Sequence, residues 1–294
     1  MKLLTYRKGT EYRIGALIGD YVLDLNKAMS SKMSMLDLLD QDKGMDEASE
    51  AVKDAQDRLE AGTTKGLQSL KGLTLASPIP RTRKNIICLG LNYAEHVKEG
   101  GRDRDLPPHP VFFTKPPTSI TGPYDPVVYS RAVERLDYEV ELAFVMGKTG
   151  KYIPKNDVYS HIAGYMVFQD ISARTLQRQH QQWYRGKSLD TFAPMGPYLV
   201  TRDEVGDPQN LGLWCKVNGV LRQQSNTRNM IFDIRTIVST ISDGMTLEVG
   251  DVFATGTPSG VGSSHPLGLL KVGDVIESGV EKLGTMRNEV VAEN

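Results

Sequence analysis

The stretch Leu136-Asp137-Tyr138-Glu139-Val140-Glu141-Leu142-Ala143-Phe144-Val145 decides how the chain is read. Its Val, Leu, Phe and Tyr residues predict a β-strand. Side chains alternate between the faces of a strand, so Glu139 and Glu141 share one face while Val140 and Leu142 share the other. Two carboxylates side by side repel each other when ionised and need a cation or water against them. The solvated face of an edge strand meets that need, and so does a bound metal ion.

Runs of the same kind recur on both sides: NIICLG (85–90), PVFFTK (110–115), PVVY (126–129), IAGYMVFQD (162–170), GPYLVT (196–201), LGLWCKVNG (211–219), DVFATG (251–256) and DVIESGV (274–280). Gly, Pro, Asn and Asp punctuate them, and two helical stretches interrupt, Ser172 to Tyr184 and Ile231 to Ser242. Many short strands with turn signals predict a sandwich or barrel-like β fold. There is no regular βαβ alternation and no GxGxxG, which argues against a dinucleotide-binding fold. Residues 1–75 read differently. MKLLTYRKG, YRIGALIGD and YVLDL predict three strands joined by Gly turns, and Met33 to Leu59 predicts helix with a break near Gly44. ASPIPRTRK (76–84), with two prolines and three basic residues, reads as a linker to the remainder, 85–294.

Composition narrows the function classes. The chain has 35 Lys+Arg against 36 Asp+Glu, a net charge of −1, and no basic run that calls for nucleic acid or a membrane surface. Cys88 and Cys215 sit in apolar runs without CxxC spacing, so they read as buried thiols and not as a zinc knuckle. The N-terminal apolar run is too short for a signal peptide and no stretch approaches a membrane span; the expected location is the cytoplasm.

Further chemistry-bearing residues lie along the strand-rich part. Asp170 ends GYMVFQD just before ISARTLQ, where it is either a turn or cap residue or a third carboxylate. Three carboxylates with no His or Cys beside them would make an oxygen-ligand site, which prefers Mg²⁺, Mn²⁺ or Ca²⁺ to zinc. In GLNYAEHVKE (90–99), a helix would put His96 and Glu99 on one face, the layout of an oriented general base or of a surface His with an incidental neighbour. His109, His161, His180 and His265 have no comparable partner in sequence and read as structural or exposed. The segment EGGRDRDLPPHP (99–110) is a surface loop or a lid. Lys187, beside a Gly turn, suits a carboxylate or an enolate, or a surface pairing with Asp190. The loop ATGTPSGVG (254–262) allows close backbone approach to a ligand and lacks the GK[ST] of a P-loop.

Together GLNYAEHVKE, LDYEVELAFVMG, GYMVFQDISARTLQ, GKSLDTFAPMGP, NTRNMIFDI and SDGMTLEVGDVFATGTPSGVG resemble the fumarylacetoacetate hydrolase superfamily, in order across nearly all of 83–294. The resemblance implies an α+β, mainly β fold: a mixed β-sandwich roll carrying a small N-terminal α+β domain, usually in a homodimer. It implies a divalent metal, commonly Mg²⁺ or Mn²⁺, on Glu139, Glu141 and Asp170. It implies a His96–Glu99 pair on a segment that orders with ligand, an active-site Lys187, and Arg174, Gln177 and Thr257 near the ligand. The implied substrate is a small anionic keto acid, and the first expectation is hydrolysis of a C–C bond in an acylpyruvate or 2,4-diketo acid. Oxaloacetate decarboxylation is the alternative, followed by isomerisation or hydration of a 2-hydroxy-dienoate, and then by metal binding without catalysis. One site can run all these reactions, so the fold does not choose among them.

Overall fold

A computed structural model describes residues 1–99 and 105–293 of the chain. Residues 100–104, in the first half of the expected lid at 99–110, lie outside the described residues. The fold is α+β and mainly β, as the resemblance implies.

The strand Val140–Met146 organises the rest. Leu142, Phe144 and Met146 enter a core that also holds Leu213, Cys215, Ile276 and Met286 from a second sheet. Ala143 and Val145 enter another core with Leu38, Ala48 and Val52 from the N-terminal helices. Burial on both faces explains why the segment reads as an almost unbroken apolar run beyond Glu141. Phe144 and Phe253 stack at its centre, 4.7 Å between ring centroids. Phe144→Ala is therefore expected to cost about 3–5 kcal/mol, the range for emptying a packed aromatic site, read as a lower denaturant midpoint at unchanged slope.

The large sheet runs in the order Leu67–Ser69, Tyr21–Asp24, Glu11–Ile18, Lys2–Lys8, Ala193–Thr201, Ile162–Gln169, Val140–Met146, Val252–Ala254, Ile86–Gly90, Val111–Lys115. The three N-terminal strands thus extend the central sheet, through Lys2 opposite Val200 and Leu3 opposite Leu199. The expected linker is packed at its start, with residues 75–79 buried and Thr5 Oγ1 donating to the Pro78 carbonyl at 2.7 Å. The second sheet runs Val220–Asn226, Gly212–Val217, Val275–Val280, Gly284–Ala292, Val127–Tyr129. A two-stranded ribbon, Leu136–Asp137 with Ser172–Ala173, closes one end.

Three local readings need correction. The strand expected through Leu136–Val145 is interrupted at Tyr138 and Glu139, which follow the ribbon and precede the sheet. The helix expected over Ser172–Tyr184 is two short helices, Arg174–Gln179 and Tyr184–Lys187, separated where His180 turns extended. The second is held against the first because Gly186 lacks a Cβ, which would sit 2.5 Å from the Gln177 nitrogen. The helix expected over Ile231–Ser242 is the shorter Ile234–Ile241, started by the Asp233 side chain accepting from the Thr236 N–H at 2.7 Å. Cys88 and Cys215 are free and buried, as expected.

Candidate metal centre and active site

The site lies where several strands end on one face. Along Val140–Met146, Ala143 and Val145 point to the N-terminal core, so period 2 sends Glu141 to that same side. On Ile162–Gln169, Met166 and Phe168 share that core, and the next residue in phase is Asp170. Ala254 lies opposite Ala143, and two residues on is Gly256, whose N–H donates to Glu141 Oε2 at 2.7 Å. Gly256 adopts φ +97°, and a Cβ there would sit 2.8 Å from Asn92 Cβ, so glycine is required on both counts.

Glu139, Glu141 and Asp170 are all buried, and one oxygen from each lies within 4.8 Å of the others. The Glu139 backbone N–H donates to Gln169 Oε1 at 2.9 Å, and the Val140 N–H to Gln223 Oε1 at 3.0 Å. These two buried glutamine side chains satisfy the backbone where the strand breaks. Gln223 also donates to Thr257 Oγ1 at 2.8 Å, and Thr257 Oγ1 donates to the Val140 carbonyl at 2.9 Å.

Three buried cations balance the acids. Lys187 Nζ lies 2.7 Å from Glu139 Oε2 and 2.5 Å from Asp170 Oδ2. Lys115 Nζ donates to Asp170 Oδ1 at 2.6 Å and to the Ile171 carbonyl at 3.1 Å. Arg174 Nη2 lies 2.6 Å from Glu139 Oε1. The alternative pairing of Lys187 with Asp190 is not what the structure has.

The carboxyls respond unequally. Burial pushes Glu141 well above the ordinary carboxylate range, and the charges of Asp170 and Glu139 push it further. Burial acts the same way on Glu139, but Arg174 and Lys187 outweigh it and hold Glu139 far below that range. The two lysines also diverge. Burial lowers both, yet the flanking Asp170 and Glu139 raise Lys187 above its ordinary value, whereas Lys115 stays below, with Lys187 repelling it.

A cleft of about 560 Å³ opens over this cluster, lined among others by His96, Glu99, Glu139, Glu141, Arg174, Gln177, Lys187 and Thr257. Every residue that the sequence points to lines it except Asp170, which is fully buried beneath Lys187. His96 lies on the helix Ala94–Lys98 and Glu99 just past its end. Glu99 Oε2 is 2.9 Å from His96 Nδ1, and Glu99 Oε1 accepts from the Gly260 N–H at 2.7 Å. The carboxylate thus orients the imidazole and ties its helix to the Gly-rich loop. Trp183, from the break between the two short helices, lines the opposite wall, packed edge-on to Phe113 at 5.4 Å and over Gly90. His180, expected to be structural or exposed, is exposed and also lines the cleft.

Sequence reasoning missed Lys115, Asp137, Gln169 and Gln223. The available signal was a polar residue inside or ending an apolar run, as in PVFFTK and MVFQ. The donor set suits a divalent cation: three convergent carboxylates, no sulfur, no imidazole, and repulsion at Glu141 that a cation would relieve.

Residues 85–291 match the family described as fumarylacetoacetate (FAA) hydrolase C-terminal. Among curated proteins, the oxaloacetate tautomerase of Bacillus subtilis is 46% identical over 226 residues, 76% of this chain and 75% of that protein. Among solved structures, a fumarylacetoacetate hydrolase from Exiguobacterium antarcticum superposes with a TM-score of 0.82 at 36% identity, covering 100% of both chains. A maleylpyruvate hydrolase from Sphingobium, in complex with manganese(II) and pyruvate, superposes with a TM-score of 0.77 at 31% identity, again covering 100% of both.

Proposed function

Because the chain belongs to the fumarylacetoacetate hydrolase family, we propose that it is a divalent-metal-dependent enzyme acting beside the carbonyl of a small 2-oxo acid, with keto–enol interconversion of oxaloacetate as its reaction. The observation that carries this reading is the cleft in which Glu139 and Glu141, clustered with the buried Asp170, meet the His96–Glu99 pair and Lys187. The name of the Bacillus subtilis relative supports the choice of reaction.

Glu139, Glu141 and Asp170 would hold the ion, Mg²⁺ or Mn²⁺. When bound, such an ion polarises the 2-oxo and carboxylate oxygens and makes the adjacent C–H more acidic. The rest is work for this chain's side chains. Glu99 accepts the proton on His96 Nδ1, which leaves the Nε2 lone pair to take a proton from C3 of the substrate. Lys187, kept charged by Asp170 and Glu139, donates to the oxygen that gains charge as C3 loses its proton. Return of the proton from His96 to that oxygen yields the enol, and the reverse sequence yields the ketone. Thr257 and Gln177 border the same space and orient the ligand.

A second reading, hydrolysis of an acylpyruvate, is supported by the maleylpyruvate hydrolase that superposes on the full chain with manganese and pyruvate bound. There His96 would deprotonate a water that attacks the distal carbonyl, releasing pyruvate. The deciding experiment follows oxaloacetate enol absorbance with chelated protein and with added Mn²⁺ or Mg²⁺, beside product analysis on acetylpyruvate and fumarylpyruvate. Metal-dependent acceleration of enol decay without carbon dioxide release is the expected result. Pyruvate and an organic acid from the diketo acids would replace it with the hydrolase, and pyruvate and carbon dioxide from oxaloacetate with a decarboxylase. Inertness on all three would sink the enzymatic reading and leave a metal-binding protein.

A further inference from the structure

Asp137 is as deeply buried as Asp170 and takes no part in the chemistry above. All its acceptor capacity is in use. Oδ1 accepts from the Tyr138 N–H at 2.9 Å and the Gly262 N–H at 2.6 Å. Oδ2 accepts from the Ser263 N–H at 3.0 Å and from Arg174 Nε at 2.8 Å. An ionised carboxylate has about four lone-pair positions, so four donors saturate it and none remains for a metal or a substrate. Gly262 is part of the arrangement, because a Cβ there would lie 2.6 Å from Asp137 Oδ1.

What Asp137 holds is Arg174. The guanidinium is a rigid planar fork, so fixing one edge fixes the others. With Nε on Asp137, Nη1 reaches Gln177 Oε1 at 3.0 Å and Nη2 reaches Glu139 Oε1 at 2.6 Å. Nη1 keeps a second N–H, Nη2 is buried and meets Glu139 as an ion pair, and Arg174 lines the cleft. The ribbon that pairs Asp137 with Ser172 brings the two side chains together. We propose that Asp137 is a positioning residue: the Gly262–Ser263 turn fixes its carboxylate, the carboxylate fixes Arg174, and Arg174 in turn orients Glu139 and Gln177 toward the bound oxo acid. This rests on the triad being the metal seat and is independent of which reaction follows.

Asp137→Asn separates shape from charge. Whichever way the amide turns, its NH₂ faces two donors, so either Arg174 and Ser263 or Tyr138 and Gly262 lose their acceptor. The test is the affinity of Mn²⁺-loaded protein for oxalate, an unreactive pair of vicinal oxygen donors, read by calorimetry and by fluorescence of Trp183 in the cleft wall. D137N is expected to weaken oxalate binding about tenfold or more, the scale of lost outer-sphere partners. In an R174M background the same change is expected to cost less than about threefold, because the residue it acts through is gone. Oxalate affinity unchanged in D137N, or an equal loss in both backgrounds, would overturn the proposal in favour of a purely structural carboxylate. Should D137N not fold, Arg174→Ala decides. Added guanidinium is expected to restore its oxalate binding, since Asp137, Glu139 and Gln177 remain to seat the ion, and absence of rescue overturns the idea. Wild-type protein that binds neither Mn²⁺ nor oxalate would remove the metal seat and this role with it.

Discussion

Glu141→Gln is expected to make the metal-free protein more stable and the enzyme inactive. Glu141 is the one member of the triad without a cationic partner within ion-pair distance among the described residues: Lys187 pairs with Glu139 and Asp170, Lys115 with Asp170, and Arg174 with Glu139. Its own partner is the Gly256 N–H, which an amide oxygen accepts equally well. An amide removes the cost of burying this carboxyl, and its conflict with Asp170 and Glu139, at almost no change in volume. A gain of about 1 kcal/mol corresponds to roughly 1.5–2 °C in a chain of 294 residues, read by melting in chelator. The same change deletes one oxygen of the proposed metal seat. Mn²⁺ affinity is expected to fall by more than the roughly 10–100-fold that losing an outer-sphere partner costs, and turnover with it. A lower melting temperature in chelator would show that the three carboxylates are not in conflict.

Glu99→Gln is expected to remove roughly 10²–10⁴-fold from kcat, the range for losing general-base catalysis, while leaving fold and Mn²⁺ affinity intact. The amide oxygen would go on accepting from the Gly260 N–H, so the helix Ala94–Lys98 stays tied to the loop. The amide nitrogen would then donate to His96 Nδ1, which forces the imidazole proton onto Nε2 and removes the lone pair that the reaction needs. His96→Ala should lose a similar factor, and the double variant little more than either single one. A kcat within about tenfold of wild type in either single variant would dismiss His96 as the base.

How much of this was legible depends on the range of the interaction. Period 2 read along one strand already set Glu139 beside Glu141, and the two do converge, although Glu139 sits in the break just before the strand Val140–Met146; their residue type already demanded a cation or water. That part of the site could be read without a structure. Lys115 could not, because its partner Asp170 is 55 positions away. Gln223 escaped for the same reason: it meets the Val140 N–H from another sheet, 83 positions on. The first helix ends where His180 turns extended, and Trp183, at the start of the second, seats against Phe113 and Gly90, contacts that no local pattern announces. The strand Gly284–Ala292 was missed although it alternates. One of its buried positions is Asn288, which donates to the Gly122 and Asp125 carbonyls and disguises the apolar face.

The parallel pairing of Phe253 with Ile87 and Ala254 with Cys88 has a kinetic side. It joins segments more than 160 positions apart, and it sets the Gly256 N–H, from near one end of the chain, against Glu141, from the middle. Closing such a loop is entropically expensive before any contact repays it, and topologies rich in distant pairings fold slowly. The cation seat should therefore be among the last features to form during refolding. A collapsed intermediate with native-like strands would not yet capture Mn²⁺, and the appearance of metal binding after a denaturant jump would time the completion of the fold.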